Sequence, residues 1–198
     1  MDFLDVFRGF REKKPSMVLR NRWTAVFGLS ATFLFMLAWL GGVVHAFDTE
    51  IGMYNWGWFF HPLFHPLFYW FFLKVSFFTH VELKGDSVVV NNFFMKHTFP
   101  ARMVSRVLWE GGVDIVLVDG SKWWCINLGG SLLGALAGFP TNRRCAREIE
   151  AFAEAKKRER QAGEGDRVVT SPHLNLGFLL GAALVSFVLI YLLGLVLA

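Results

Sequence analysis

The sequence has little charge and almost no cysteine. Of 198 residues, 18% are charged and two are cysteines. Cys125 and Cys145 show no CxxC or Cys/His spacing of a zinc site, and we expect them to be core thiols. The chain has no nucleotide-binding glycine loop, HExxH motif or Ser/His/Asp arrangement, so we nominate no catalytic residue. The sequence is instead rich in apolar residues, since 54% of its residues are hydrophobic and 22 are phenylalanines. This composition predicts a membrane protein.

Three long runs are almost free of charge. Residues 23–47 and 174–198 contain no Asp, Glu, Lys or Arg, and residues 56–78 contain only Lys74. Each run exceeds the ~20 helical residues that cross a ~30 Å hydrocarbon core. We therefore predict three transmembrane helices, with Lys74 reaching a headgroup from the end of the second.

The basic residues predict the orientation. The loop at 48–55 carries Asp48 and Glu50 and no cation, whereas thirteen Lys and Arg lie between Lys84 and Arg167. Cations beside spans stay on the cytoplasmic side. The N-terminus and the middle segment are thus expected inside and the C-terminus outside. The cations that flank the spans are expected to meet anionic lipid, and they are Arg8, Arg11, Lys13, Lys14, Arg20, Arg22, Lys156, Lys157, Arg158 and Arg160.

Two other topologies are open. The uncharged segment 123–142 is a candidate fourth span, but crossing there would place the following arginines outside. Its apolar centre also has the length of a core or interfacial helix. Val44 and Ala46 resemble the small residues before a signal-peptide cut, but the apolar run ahead of them is too long for a typical signal. We expect neither topology.

The middle segment reads as strands followed by a helix. Turn residues at Lys84-Gly85-Asp86 and at Asp119-Gly120 predict two hairpins. Pro100 separates two further strands. A helix is expected from a cap at Thr141 or Asn142, and it places Cys145, Ile149 and Phe152 on one face.

This segment resembles the bacterial pleckstrin-homology-like (PH-like) domains of small membrane proteins, including the actinobacterial group related to low molecular weight antigen 6. The likeness covers about residues 79–160. It departs from the family after the proline, where Ala101 and Arg102 replace an aromatic and an acidic residue. The residues that carry it are Asp86, Val88 to Val90, Pro100, Val107, Ile115 to Val118 and Asp119-Gly120.

The resemblance implies a strongly bent seven-stranded sheet with one end closed by a C-terminal helix. It also implies a bacterial inner membrane and no established activity. The fold class we expect is membrane α + β. Its organisation is a basic amphipathic cytoplasmic segment (1–22), a first helix (23–47), an external loop (48–55), a second helix (56–78), a cytoplasmic PH-like domain (79–160), a linker (161–173) and a third helix (174–198).

Three histidines are candidate ligands near the outer membrane face. His61 and His65 are four residues apart, and His45 lies at the same depth in the first span. Prolines follow His61 and His65 and disfavour helical torsions at both. We interpret the three as structural or interfacial residues. Metal, proton or haem ligation is the alternative.

The expected function is that of a non-catalytic accessory or scaffold protein without a cofactor. The PH-like domain would bind a protein or lipid partner. Gly177 and Gly181 form a small-xxx-small face for packing within the chain, with another membrane subunit or with a second copy. No base-stacking pattern indicates nucleic acid. The alternative is a redox or ion-handling subunit that uses the histidine cluster with haem or a metal.

Overall fold

A computed structural model describes residues 16–48, 57–129, 138–159 and 166–197. The chain divides into two compact units. The β unit comprises Met1–Asn21 and His80–Pro172, and the helical unit comprises Arg22–Thr79 and His173–Ala198. The fold is thus mixed helix and sheet, as expected.

The described elements follow one another through both units. In chain order they are β1 (Met17–Leu19), α1 (Arg22–Asp48), α2 (Gly57–Leu73), a π-helix (Lys74–Phe78), β2 (His80–Lys84), β3 (Ser87–Asn91), β4 (Met95–Pro100), a 3₁₀ turn (Ala101–Met103), β5 (Val104–Leu108), β6 (Gly112–Leu117), β7 (Lys122–Gly129), α3 (Pro140–Glu159), β8 (Val169–Pro172) and α4 (Leu176–Leu197). The basic segment 1–15 and the external loop at 49–56 lie outside the described residues.

Among the described residues, one helix is long and apolar enough to cross a membrane. It is α1, over Arg22–Gly42, and the apolar part of α4 at Leu176–Leu192 is shorter. The helix α2 has 17 residues. Of the three spanning helices that we predict, one therefore has the length and composition needed to cross a membrane.

Aromatic contacts hold the helical unit together. The Phe35 ring of α1 stacks on Phe68 of α2 with centroids 4.9 Å apart. In the π-helix that follows α2, the Phe78 ring centroid lies 5.9 Å from that of Phe178 of α4. Hydroxyl groups in these helices bond to carbonyls one turn back, as Ser186 Oγ does to Ala182 O at 3.0 Å. These hydroxyl groups thus find their hydrogen-bond acceptors within their own helices.

The β unit contains two antiparallel sheets in place of the single bent sheet that the resemblance implied. One has the order β1-β2-β3-β4-β8 and the other the order β5-β6-β7. The strand β8 corrects the expected linker 161–173, because Val169–Pro172 pairs with β4. Without β8 this edge of β4 would leave backbone groups unpaired. The adjoining Val168 packs on the core. The strand β1 likewise extends the sheet into the segment expected to be only basic and amphipathic.

The hairpins and the closing helix agree with the sequence. Gly85 and Gly120 adopt positive φ of 59° and 81° in their turns, a conformation that favours glycine. The helix α3 begins at Pro140 rather than at a cap on Thr141 or Asn142, and proline suits a first helical position because it needs no N–H partner. Cys145 and Ile149 of α3 are buried in the core, with Phe152 packed against it.

The alternative of a fourth spanning helix at 123–142 is wrong for its first residues, which form a strand. Residues 122–129 form β7, which pairs with β6 in the second sheet. Its side chains Cys125 and Leu128 belong to the hydrophobic core. The stretch 130–137, which includes most of the expected interfacial helix, is outside the described residues.

Candidate functional site

The structure leaves the predicted histidine cluster untested, because one of its three side chains lies outside the described residues. His45 is exposed on α1, and the half-buried ring of His65 lies 5.7 Å from that of Trp39. His61 lies in α2, which continues as a helix through both prolines, but its side chain is outside the described part. No three His, Cys, Asp or Glu side chains among the described residues group to hold a metal ion.

Lys74 does not reach outward as expected. Its side chain is fully buried in the helical unit, where Nζ donates a hydrogen bond to the carbonyl of His173. The same ammonium lies 4.7 Å from the centroid of the Trp70 ring. A backbone carbonyl and an aromatic face thus replace water around the charge. Lys74 therefore links the π-helix to the residues that precede α4.

The close helix contact uses a glycine that the sequence reading missed. Around Gly177 and Gly181 an added Cβ would meet nothing within 4 Å, so neither glycine packs within the described chain. At Gly28 of α1 an added Cβ would overlap Ser76 Oγ and lie 2.9 Å from the Phe72 carbonyl oxygen. Ser76 Oγ itself lies 3.0 Å from Thr24 O and 2.7 Å from Phe72 O. Gly28 therefore allows the contact between α1 and the end of α2.

The predicted lipid-facing cations divide into two groups. Arg20, Arg22 and Arg158 are exposed. Lys156 is paired with Asp86 at 3.0 Å and with Glu159 at 2.8 Å, and Lys157 with Glu154 at 2.7 Å. The lysines on α3 are thus engaged with carboxylates of the β unit rather than free for lipid. Arg8, Arg11, Lys13, Lys14 and Arg160 lie outside the described residues.

The arginine that follows Pro100 and Ala101 forms an ion pair. Arg102 Nε donates to Asp166 Oδ2 at 2.7 Å, and its Nη2 bonds to the other oxygen. The bond to Asp166 raises the pKa of Arg102, and the charge of Asp86 adds to this effect. This bidentate pair ties the 3₁₀ turn to the residues that lead into β8.

A histidine outside the predicted cluster occupies a defined site in the β unit. His97 of β4 lies with its ring centroid 4.2 Å from that of Trp123. Its Nδ1 is 3.0 Å from Thr170 Oγ1 on β8. Burial lowers the pKa of His97, because desolvation disfavours the imidazolium. The contact between His97 and Thr170 joins β8 to β4. We interpret His97 as a structural residue.

Three large apolar side chains are exposed at or beside the β3–β4 turn of the β unit. We call Phe94, Met95 and Trp124 the aromatic tip; Phe94 is 57% and Trp124 56% exposed. Asn92 connects them, since its Nδ2 donates to the Trp124 carbonyl at 2.6 Å and its Oδ1 accepts from Ile126 N at 3.0 Å. This clamp fixes the β3–β4 turn against β7. Exposed apolar groups held on a rigid turn are typical of an interaction surface.

The two cysteines are core residues in the described structure. Cys125 and Cys145 are buried and not disulfide-bonded. Burial raises the pKa of the Cys125 thiol to about 12 and also raises the pKa of Cys145. Since the thiolate is the reactive form, both thiols are protected from reagents in the folded protein.

Comparison with known proteins adds no relative. No protein-family model, no curated protein and no solved structure matches the chain. The PH-like resemblance and its functional implications therefore stay predictions.

Proposed function

We propose that this protein is a multi-pass, non-catalytic accessory or scaffold protein of a bacterial inner membrane. Its helical unit is embedded in the bilayer with the N-terminus inside and the C-terminus outside. Its β unit lies on the cytoplasmic side and binds a protein or lipid partner there. The observation that carries the proposal is the distribution of polarity in the helical unit.

The helical unit exposes apolar side chains and buries polar ones. Phe27 of α1 is 66% and Leu180 of α4 68% exposed, whereas Lys74, Ser76 and Ser186 are buried. In water this arrangement would leave a large apolar surface unprotected. In a bilayer it is favourable, because buried polar groups find partners within the protein and apolar groups meet lipid. The unit therefore suits a lipid environment.

The strand order supports a PH-like β unit. Strands β2 to β7 followed by α3 have the strand-then-helix order that the resemblance implied, and β1 from outside the matched segment adds a seventh strand. The departures are the insertion of α1 and α2 between β1 and β2, and the added strand β8. Neither the described core nor its edges bring together groups that suggest catalysis. A binding role follows most directly from the exposed aromatic tip.

Residues around Gly177 and Gly181 supply a surface for a membrane partner. The space beside both glycines is open, and they lie one helical turn apart on α4. Small residues at this spacing let a second helix approach closely. We propose another membrane subunit or a second copy of the chain as the occupant.

Topology and partner are tested separately. Single cysteines at Thr49 and Lys84 are exposed to a membrane-impermeant maleimide in intact spheroplasts. We expect labelling at 49 without permeabilisation and at 84 only after it. Labelling in the reverse order would refute the orientation. Gentle solubilisation followed by mass spectrometry of what co-purifies tests the scaffold role, and isolation of a lone monomer would contradict it.

A further inference from the structure

All three junctions between strands and helices lie at one end of the five-stranded sheet. Two residues separate β1 from α1, one residue separates the π-helix from β2, and three residues separate β8 from α4. The register pairs Leu19 with Val81, at the start of β2, in one ladder. In the others His80 pairs with Asn91 and Met95 with Pro172. The strand ends that lead into helices are thus neighbours.

The aromatic tip belongs to that same end of the β unit. Phe94 lies in the turn between β3 and β4, and Met95 is opposite Pro172, the last residue of β8. Asn92 holds Trp124 of β7 beside this turn. The opposite end carries the Lys84-Gly85-Asp86 turn. Three exposed apolar side chains are therefore concentrated where the chain passes into its apolar helices.

The connections between these strand ends and the helices are short. They contain Arg20 and Asn21, Thr79 alone, and residues 173–175. Even the longest, fully extended, spans only about 10 to 14 Å. The interfacial zone of a bilayer on each side of its hydrocarbon is several ångströms thick. This zone borders the hydrocarbon that would surround the embedded helices.

We propose that the aromatic tip inserts into the headgroup region of the bilayer that holds the helical unit. Tryptophan and other amphipathic aromatics favour this zone, and burial of apolar area there removes it from water. The exposed cations Arg20 and Arg22 at the first junction complement an anionic leaflet. The tip would thereby fix the tilt of the β unit on the membrane. This inference rests on the proposed membrane embedding.

Depth-dependent quenching tests the proposal on the full chain. Because Cys125 and Cys145 are buried, a single introduced cysteine takes a fluorescent label selectively, and the wild-type chain measures background. Phe94→Cys and Trp124→Cys report on the tip, in nanodiscs with or without lipids brominated near the headgroup. Lys84→Cys is the matched control, since that exposed residue lies about 13 Å along β2 from His80. Leu34→Cys reports on the helical unit.

The results separate the two proposals. We expect bromolipid to reduce the emission of labels at 94 and 124 and to leave the label at 84 unchanged. Leu34, which is exposed on α1, should be quenched by lipids brominated deeper in the chain. Quenching at 34 without quenching at 94 and 124 would overturn insertion of the tip but keep the embedding. Failure of quenching at 34 would overturn the embedding itself. Labels at 94 shielded from solvent but insensitive to bromolipid would indicate a protein partner and overturn the lipid assignment.

Discussion

The contact between Gly28 and Ser76 gives the sharpest test of the helical packing. Gly28→Ala would place a methyl group on Ser76 Oγ, 2.8 Å from Ser76 Cβ and 2.9 Å from the Phe72 carbonyl oxygen. The serine hydroxyl can rotate away, at the loss of a hydrogen bond worth ~1 kcal/mol. The Phe72 oxygen is backbone and cannot. The helices must therefore separate locally.

The expected cost follows from these terms. Overpacking of this kind costs about 1–3 kcal/mol, while alanine in place of glycine gains ~1 kcal/mol of helix propensity. Gly177→Ala is the control, because it makes the same chemical change on α4 with open space around it. The two variants should thus differ by the strain and the lost hydrogen bond, about 2–4 kcal/mol.

The measurement is unfolding of the full chain in mixed micelles by titration with a denaturing detergent, followed by circular dichroism. The double variant Gly28→Ala with Ser76→Gly removes both side-chain overlaps. We expect it to recover stability relative to the sum of the single changes, which is a favourable coupling energy. Equal stability of Gly28→Ala and Gly177→Ala would refute the proposed contact.

Three further predictions concern the β unit. The pKa of His97 is lowered from its ordinary 6.5, so the unfolded chain takes up the proton first and stability is lost as pH falls below about 6.5. His97→Gln should flatten the fall in unfolding midpoint between neutral and acid pH, and an unchanged pH profile would contradict this. Arg102→Gln and Asp166→Asn should each lower the midpoint, and the double variant no further than the worse single change; additive losses would show that the pair is not coupled. Cys125, whose pKa is about 12, should react with a thiol reagent only on unfolding, and rapid labelling of the native protein would disprove its burial.

Local patterns in the sequence predict local structure well. Asp119-Gly120 specifies its turn through the positive φ of a glycine next to the aspartate. The face of α3 with Cys145 and Ile149 follows from helical periodicity alone. In both cases the residues that determine the element are within a few positions of one another.

Contacts between distant segments were not predictable in the same way. The sequence predicts that Lys74 contacts a lipid headgroup, but its partner is the carbonyl of His173. Every residue has a backbone carbonyl, so the residue types do not indicate which one accepts this bond. Strand β8 pairs with β4 across some seventy residues, and its few residues carry no clear alternation. Glycine spacing predicts close helix packing at Gly177 and Gly181, whereas the close approach within the described chain occurs at Gly28. Which glycine is required depends on where a neighbouring helix packs, and local spacing does not specify that position.

The pairing of Leu19 with Val81 has a consequence for biogenesis. Strand β1 leaves the ribosome first, yet its partner follows only after all of α1 and α2 have been made. For about 60 residues of synthesis at ~5–20 residues per second, this edge strand waits for several seconds. Strands β2, β3 and β4 are made next, and β8, on the opposite edge of the sheet, is made last. Pairing of β1 with β2 thus depends on prior synthesis of the two helices that separate these strands in the chain.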